Sequence, residues 1–298
     1  MTPPDTIGST LGAVAAALQA AGFDEARRRA RRLLTVALDL SLSEVFVRLD
    51  RMITEDEGER VAAVLARAVR HEPLSRIAGV REFWGLEFML SPDTLDPRPE
   101  SETLVEAVLA RLPDRAGAYR ILDLGTGSGC LLLALLSELP AASGIGVDAA
   151  PGAVEMARRN AEKLGLAARS EFVVGHWAQP LGQEFDVVVA NPPYIASADI
   201  EGLPPEVRDY DPRRALDGGA DGLDAYRAMT TQLPRLLVPG GVFAGEFGQG
   251  QDGAVAELIG ASGLRIDCII PDLAGIPRCV VACRDGGQKM VGTGKSPA

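Results

Sequence analysis

Residues 123–129, Asp-Leu-Gly-Thr-Gly-Ser-Gly, have the composition of a ligand-binding turn between a strand and a helix. Glycines let the backbone approach a ligand closely, and a helix start favours bound polar or anionic groups. The G-x-G-x-G spacing differs from the G-x-G-x-x-G of dinucleotide-binding turns. The carboxylate of Asp123 suits a ligand that carries an amino group.

A second carboxylate, Asp148, ends the next predicted strand, 25 positions after Asp123. Ligands of α/β sheets bind at the carboxyl ends of the strands, where a carboxylate can accept both ribose hydroxyls of a nucleoside. NAD and S-adenosylmethionine both contain such a ribose, so Asp148 does not distinguish between them. The structural alternative is a cap for the helix that begins near Pro151.

The segment Asn191-Pro192-Pro193-Tyr194 follows the apolar run 187–190. The Asn191 side chain offers one acceptor and one donor group, which suits a planar amide or amine substrate. The prolines fix the loop and leave the Pro192 carbonyl as a second acceptor. Tyr194 can supply an aromatic face to the substrate or to a sulfonium. We interpret the segment as a substrate loop rather than an ordinary proline-rich turn.

The elements around these motifs alternate between strand and helix from residue 120 onward. Apolar runs predict strands at 120–124, 143–148, 171–174, 185–190, 242–247, 264–270 and 279–283. Residues 185–190 are typical of a strand buried on both faces. The pattern predicts an open, doubly wound, Rossmann-like α/β sheet, with the three motifs at one edge.

The region before this sheet has a different pattern. Residues 1–80 read as a small helical domain, with Ser9 and Asp24 as expected N-caps and Thr54 and Glu57 at capping-box spacing. Residues 81–100 alternate as in a β-hairpin linker. Residues 101–284 form the predicted catalytic domain, and 285–298 a flexible tail.

Composition limits the possible functions. The chain has 298 residues, of which 47% are hydrophobic, as is typical of a folded globular protein. The net charge of −11 disfavours a stable complex with nucleic acid. No metal site is expected, because Cys279 and Cys283 lack a second ligand pair. No signal peptide or membrane-spanning run is present, so we expect a cytoplasmic monomer.

The motifs together resemble the PrmC/HemK family of release factor glutamine methyltransferases. Besides the glycine turn, Asp148 and the Asn-Pro-Pro-Tyr loop, the resemblance includes four further segments in order: 81–85 (Arg-Glu-Phe-Trp-Gly), 97–100 (Pro-Arg-Pro-Glu), 218–227 (Gly-Gly-Ala-Asp-Gly-Leu-Asp-Ala-Tyr-Arg) and 272–278 (Asp-Leu-Ala-Gly-Ile-Pro-Arg). It covers about residues 70–284. The small helical N-terminal domain is also of the kind that this family carries.

The resemblance implies a class I methyltransferase that uses S-adenosylmethionine. It implies methylation of the side-chain amide nitrogen, N5, of the glutamine in the Gly-Gly-Gln motif of class I peptide chain release factors, a step that tunes translation termination. The N-terminal domain would help to dock the release factor. The cofactor would be held by Gly125, Thr126, Gly127, Ser128, Gly129, Asp148, Trp177 and Asn191. The glutamine would be held by Asn191, Pro192, Pro193 and Tyr194, with Asn191, Pro192 and Tyr194 as the catalytic residues.

The chain departs from the family pattern at three positions. His176 stands where an acid is frequent, Asp96 where an aliphatic residue is usual, and Ser101 where threonine is common. The change at His176 puts a contact with the adenine amine in doubt. Residues 286–288, Gly-Gly-Gln, have the same sequence as the expected target motif. This match is either a chance feature of a glycine-rich segment or a pseudosubstrate.

Other functions remain open at this level. A nucleic-acid methyltransferase acting on adenine N6 or guanine N2 is the main alternative, because such enzymes share the Asn-Pro-Pro-Tyr type of loop. Methylation of another protein, such as a ribosomal protein, would use the same chemistry. A cofactor-binding scaffold without activity and an NAD dehydrogenase agree less well with the loop and the glycine spacing.

Overall fold

The computed structural model describes residues 5–177 and 181–286, which divide into two compact units. The first unit comprises residues up to Val80 together with Leu203–Asp211, and the second comprises Arg81–Gly202 and the chain from Pro212 onward. Most of the predicted tail, 287–298 with its Gly287 and Gln288, lies outside the described residues. No helix in the described ranges is long and apolar enough to cross a bilayer.

The first unit is helical. Its helices are α1 (Ile7–Ala20), α2 (Ala26–Leu38), α3 (Leu42–Val47), α4 (Glu55–Ala68), α5 (Leu74–Ala78) and the short α9 (Pro205–Arg208). Apolar residues at helical spacing form one core, which includes Ile7, Leu11, Val14, Leu18, Leu33, Leu34, Val45 and Val61. Arg76 forms a buried ion pair with Asp211 at 2.6 Å, which ties the 203–211 segment to this unit.

The helix starts in this unit differ in part from those predicted. Thr54 and Glu57 form the predicted capping box at the start of α4. Ser9 is not an N-cap: α1 begins at Ile7, Thr6 caps it, and Ser9 is the third-position partner in that capping box. Asp24 is not a cap either, because the chain enters α2 through Glu25 in a left-handed conformation with no side-chain cap.

The second unit begins with the predicted hairpin. Strands β1 (Val80–Phe83) and β2 (Leu86–Met89) form a separate two-stranded sheet. Trp84 and Gly85 both have positive φ, as a two-residue hairpin turn requires. The backbone N–H of Trp84 donates to Glu102, and its indole N–H donates to Glu138 at 2.9 Å. These two bonds connect the hairpin to helices α6 (Glu102–Leu109) and α7 (Cys130–Glu138).

The main element of the second unit is a seven-stranded sheet with the order β5-β4-β3-β6-β7-β9-β8. Its strands are β3 (Arg120–Leu124), β4 (Ser143–Asp148), β5 (Ser170–Val174), β6 (Phe185–Ala190), β7 (Leu237–Glu246), β8 (Arg265–Pro271) and β9 (Pro277–Cys283). The first five strands in this order are parallel, and β9 is antiparallel to both of its neighbours. The prediction of a doubly wound α/β sheet is confirmed.

Helices cover both faces of this sheet. Helices α6 (Glu102–Leu109), α7 (Cys130–Glu138) and α8 (Pro151–Lys163) contribute to one core, and α10 (Asp224–Thr230), α11 (Leu233–Leu236) and α12 (Asp252–Ala261) to the other. Successive residues of a strand point to opposite faces, so Val187 and Val189 of β6 join the α6–α8 core, while Val188 and Ala190 join the other. Short 3-10 helices occur at Pro99–Ser101, Ala167–Arg169, Ile200–Gly202 and Arg213–Ala215.

The sheet order fixes where a ligand can bind. The chain leaves β3 toward β4 on one side and later returns to β6 on the other side of β3. Such a switch point opens a crevice at the carboxyl ends of the two central strands. Leu124 pairs with Ala190 across β3 and β6, so the residues that follow, Gly125 and Asn191, are neighbours at that edge.

Candidate active site

A cavity of about 290 Å³ opens at the carboxyl ends of β3, β4 and β6. Most of the predicted site residues line it: Gly125, Thr126, Gly127, Ser128, Asp148, Trp177, Asn191 and Pro193. Leu95, Cys130, Leu131, Val147 and Ala149 add apolar surface. Three predicted residues, Gly129, Pro192 and Tyr194, are not among the described residues that line it.

The glycine turn adopts a conformation that other residues rarely take. Gly125, Gly127 and Gly129 all have φ between 55° and 83°. The backbone N–H groups of Gly125 and Thr126 both donate to the carbonyl of Val147, at 2.8 and 3.0 Å. The turn is therefore anchored to the neighbouring strand β4, and its glycine faces stay open toward the cavity.

Helix α8 supplies a second anchor for this turn. The side-chain amide of Asn160, which is fully buried, donates to the carbonyl of Ser128 at 2.9 Å and also bonds to both backbone groups of Met89. Ser128 Oγ is buried at the cavity and has no hydrogen-bond partner among residues 5–177 and 181–286. A buried hydroxyl of this kind favours a polar ligand that would complete its bonding.

Asp123 lies beneath the turn rather than in the cavity lining. Its side chain is fully buried and accepts a hydrogen bond from Thr126 at 2.7 Å. Burial raises the pKa of Asp123 to about 7, and the nearby charge of Asp148 acts in the same direction. Gly146 on β4 makes room for this contact, because a Cβ there would come within 2.7 Å of the Thr126 hydroxyl.

Asp148 bonds to the backbone beside α8 and also lines the cavity. Its Oδ2 accepts the backbone N–H of Gly127 at 2.9 Å, and its Oδ1 accepts that of Ala150, the residue before α8, at 2.9 Å. The carboxylate thus caps the approach to α8 while it faces the cavity. Each carboxylate oxygen can accept further hydrogen bonds, so the capping contacts leave acceptor capacity for a ligand.

Trp177 and His176 form another side of the cavity. Trp177 has φ of 51°, a left-handed conformation that is uncommon for a bulky residue. Such outliers are frequent at functional sites, where the surrounding structure holds them in place. His176 is exposed and lines the cavity at the position where the sequence analysis noted a missing acid.

Asn191 lies at the end of β6 and reaches into a network of buried polar side chains. Its Nδ2 donates to the Ser101 hydroxyl at 2.9 Å, and Ser101 donates to Glu246 Oε2 at 2.6 Å. The Tyr194 hydroxyl donates to Glu246 Oε1 at 3.1 Å. Burial is the main cause of the raised pKa values of Glu246 and Tyr194. The Tyr194 side chain is therefore held in place through the hydrogen bond of its hydroxyl to Glu246.

The loop that follows Asn191 is supported by a second segment, residues 216–222. The backbone N–H of Ile195 donates to Leu216, and that of Gly218 donates back to Ile195. A Cβ on Gly222 would lie 2.3 Å from the Tyr194 carbonyl oxygen. The side chain of Gln251 also donates to that carbonyl at 2.9 Å. The glycines of the 218–227 motif thus allow two backbones to pack closely.

Several of these residues were not identified as functional from the sequence. Glu246 and Gln251 belong to no motif that the sequence analysis used, and Ser101 was noted only as a departure from a pattern. In the sequence, Asn160 is only one of several polar residues on a predicted helix. The sequence contained only a weak signal for Glu246, which is a lone carboxylate at the end of an apolar strand. It follows Gly245 on β7 as Asn191 follows Ala190 on β6, and Gly245 and Ala190 are paired.

Comparisons with known proteins agree with this architecture. A family model described as a methyltransferase domain matches residues 116–254, and one described as the PrmC N-terminal domain matches residues 10–79. A crystal structure of a methyltransferase from Pyrococcus furiosus has a similar fold, with a TM-score of 0.51 and 17% identity, over 76% of this chain and 99% of that one.

Curated relatives are much closer in sequence. A release factor glutamine methyltransferase of Rhodospirillum rubrum is 53% identical over 278 residues, which cover 93% of this chain and 85% of that one. The release factor glutamine methyltransferase of Bradyrhizobium diazoefficiens is 47% identical over 93% of this chain and 94% of its own length.

The fold and the cavity define a Rossmann-like class I methyltransferase with an additional helical unit. Sequence identities of 53% and 47%, each over 93% of this chain, assign it to one family within that class. The chain belongs to the family of release factor glutamine methyltransferases.

Proposed function

We propose that this protein transfers a methyl group from S-adenosylmethionine to the N5 amide nitrogen of the glutamine in the Gly-Gly-Gln motif of class I peptide chain release factors. The reaction would tune translation termination. We further propose that it acts as a cytoplasmic monomer, without a stably bound nucleic acid. Family membership supports the reaction, and the geometry around Asn191 supports its assignment to this cavity.

The cavity has the groups that S-adenosylmethionine needs. Asp148 would accept its ribose hydroxyls, Trp177 and the apolar lining would contact the adenine, and the open turn 125–129 would lie along its amino-acid part. The unpartnered Ser128 hydroxyl provides one more polar contact. S-adenosylmethionine supplies an electrophilic methyl group on a sulfonium.

The chemical problem is the low nucleophilicity of an amide nitrogen, whose lone pair is delocalised. Asn191 Oδ1 would accept an N–H of the substrate amide, and the Pro192 carbonyl would accept the other. Two acceptors would fix the direction of the nitrogen and stabilise the positive charge that grows on it during transfer. Correct orientation of reacting groups can contribute ~7–11 kcal/mol to the lowering of the barrier.

The observation that carries this proposal is the orientation of the Asn191 amide. Because Nδ2 donates to Ser101, the oxygen of the same amide is directed away from Ser101. Asn191 lines the cavity, so that oxygen is available as an acceptor there. An acceptor is what an incoming glutamine amide nitrogen, with two N–H groups, requires.

The test is transfer of labelled methyl groups from S-adenosylmethionine to a purified class I release factor. The matched control substrate is the same factor with its motif changed from Gly-Gly-Gln to Gly-Gly-Ala. Label on the first and none on the second is expected. Equal labelling of both, or labelling of RNA or DNA in place of the factor, would overturn the assignment of the substrate.

A further inference from the structure

A chain of two hydrogen bonds connects Asn191 to a buried carboxylate. Asn191 Nδ2 donates to Ser101 at 2.9 Å, and Ser101 donates to Glu246 Oε2 at 2.6 Å. Ser101 and Glu246 are each 3% exposed. The three residues come from different segments: the loop after β6, the residue before α6, and the end of β7.

Sheet register explains why Asn191 and Glu246 are neighbours. Ala190 on β6 pairs in parallel with Gly245 on β7. The next residue on each strand is therefore Asn191 and Glu246. Both lie two residues after Val189 and Ala244, which belong to the core on the α6–α8 face, so both point to that face. Ser101 stands at the start of α6, which packs on the same face as these two side chains.

The direction of each hydrogen bond follows from the chemistry of Glu246. Glu246 accepts from both Ser101 and Tyr194, with one hydrogen bond on each of its carboxyl oxygens. A serine hydroxyl has one hydrogen, which is used on Glu246. The Ser101 oxygen is then left as an acceptor, so Asn191 must turn its amino group toward Ser101.

We propose that Glu246 is a positioning residue for methyl transfer, acting through Ser101 to hold the Asn191 amide with its oxygen toward the substrate. This inference rests on the function proposed above. Without a fixed acceptor at Ser101, the hydroxyl could donate to Asn191 as readily as accept from it. A reversed Asn191 amide would present its N–H groups to the N–H groups of the glutamine.

Cooperativity along the chain adds a second effect. Hydrogen bonds in a chain polarise and strengthen each other. The Ser101 oxygen bonded to Glu246 is thus a better acceptor, and the Asn191 oxygen at the far end of the chain gains negative character. That oxygen is the one proposed to face the positive charge that develops on the substrate nitrogen.

The first test compares Ser101→Ala with Ser101→Thr. The alanine variant breaks the chain and is expected to lower kcat about 10- to 100-fold. This is less than the ~10²–10³-fold found when a group that contacts the reacting atoms is removed, because Ser101 acts through Asn191. The affinity for S-adenosylhomocysteine and the melting temperature should stay close to wild type. The threonine variant keeps the hydroxyl and should restore most of the rate.

A matched control is Ser170→Ala. Its hydroxyl likewise donates one hydrogen bond, here to the backbone carbonyl of Leu166 at 3.0 Å, and it lies at the start of β5. This variant should retain the wild-type kcat. Equal rates for Ser101→Ala and wild type would overturn the proposal.

A double-mutant cycle shows whether Ser101 acts through Asn191. In an Asn191→Ala background, Ser101→Ala should cause no further loss of rate, because the group that it orients is absent. An equal fold-loss in both backgrounds would mean that Ser101 supports the fold or the cofactor independently, and would overturn the proposal.

A measurement independent of activity tests Glu246 itself. Nitrogen-15 NMR of the Asn191 side chain should show a slowly exchanging amide proton in the wild-type protein and in Ser101→Thr. Protection should be lost in Ser101→Ala and weakened in Glu246→Gln, which retains the shape of Glu246 without its charge. Unchanged protection in both would overturn the proposal. If wild-type protein labels no release factor, the proposed function fails, while this measurement still decides whether Glu246 orients Asn191.

Discussion

The backbone N–H of Gly127 donates to the Asp148 carboxylate at 2.9 Å, which joins the glycine turn directly to the end of the neighbouring strand. The other oxygen of the carboxylate accepts the N–H of Ala150 at 2.9 Å. One side chain therefore fixes both the turn and the start of α8. The same side chain lines the cavity, so we propose that cofactor binding and local stability depend on it together.

We expect Asp148→Ala to weaken both properties. Two backbone donors lose their acceptor, and an unsatisfied buried group costs about 1–3 kcal/mol in the free energy of unfolding. Affinity for S-adenosylhomocysteine should fall at least about tenfold, as loss of ~1.4 kcal/mol of binding free energy implies. Thermal unfolding and calorimetric titration measure the two effects.

Asp114→Ala is the matched control for this prediction. Asp114 accepts the N–H of Ala116 at 2.9 Å in the same local geometry, but it is exposed and outside the cavity. Its removal should leave cofactor affinity unchanged. A wild-type affinity in Asp148→Ala would show that the carboxylate does not contact the cofactor.

Replacement of Asn191 should separate binding from transfer. Asn191→Ala removes the proposed acceptor without changing Asp148 or the glycine turn, so the dissociation constant for S-adenosylhomocysteine should change by less than about threefold, a difference below 1 kcal/mol. The rate of transfer should fall by ~10²–10³ or more, as for other preorganised electrostatic groups. Single-turnover kinetics with a saturating release factor measures this rate, and near wild-type turnover would contradict the assigned role.

The stability of the ligand-free protein should depend on pH through Asp123. Its pKa is raised from 3.8 to about 7 by burial. Between these values the folded protein keeps a proton that the unfolded chain has released, so stability falls as the pH rises through this range. Asp123→Asn should remove this dependence, and its gain in melting temperature over wild type should be larger at about pH 8 than at about pH 5.

The exposed Asp114→Asn is the control for that measurement. It makes the same change from carboxylate to amide at a side chain that is exposed rather than buried, so it should not reproduce the pH-dependent gain of Asp123→Asn. If the difference in melting temperature between Asp123→Asn and wild type is the same at every pH, the prediction is contradicted.

The contact of Gly222 with the loop can be tested against a glycine that has the same backbone strain. Gly222 has φ of 77° and Gly240 has φ of 82°, so alanine is strained at both by about 1–2 kcal/mol. Only at Gly222 would the new Cβ meet a neighbour, the Tyr194 carbonyl at 2.3 Å, while nothing lies within 4 Å at Gly240.

Gly222→Ala should therefore displace the Asn191–Tyr194 loop and reduce transfer well beyond any loss in Gly240→Ala, which should remain active with a slightly lower melting temperature. Activity and thermal unfolding of the two variants give the comparison. Equal activity in both would show that the 216–222 segment does not hold the loop in its active form.

Much of the site could be predicted because it depends on local sequence and on one rule of sheet geometry. The glycine turn, Asp148 and Asn191 each follow a strand directly, and parallel strands bring their carboxyl ends to the same edge. Residue types then indicate the chemistry. Six of the seven strands agree with their predicted ranges to within two residues for the same reason, since buried apolar runs are long enough to identify. The exception is β7, which begins at Leu237 rather than at residue 242.

Helix starts and side-chain partners were harder to predict from the sequence. The cap of α1 is Thr6 rather than Ser9, because both residues of a capping box can act as acceptors and the spacing alone does not say which comes first. Tyr194 was expected to face the substrate, yet its hydroxyl bonds to Glu246. A tyrosine has a polar end as well as an aromatic face, and its surroundings decide which end is buried.

The sequence by itself determined the fold class, the edge of the sheet where the cavity opens and eight of the residues that line it, because these follow from strand periodicity and from residues adjacent in the chain. Only the tertiary structure decided how Asn191 is held. Its partner Ser101 lies 90 residues before it in the sequence, and Glu246 lies 145 residues after Ser101. Such bonds form only when strand register and helix packing bring distant segments within 3 Å, and no local pattern encodes that distance.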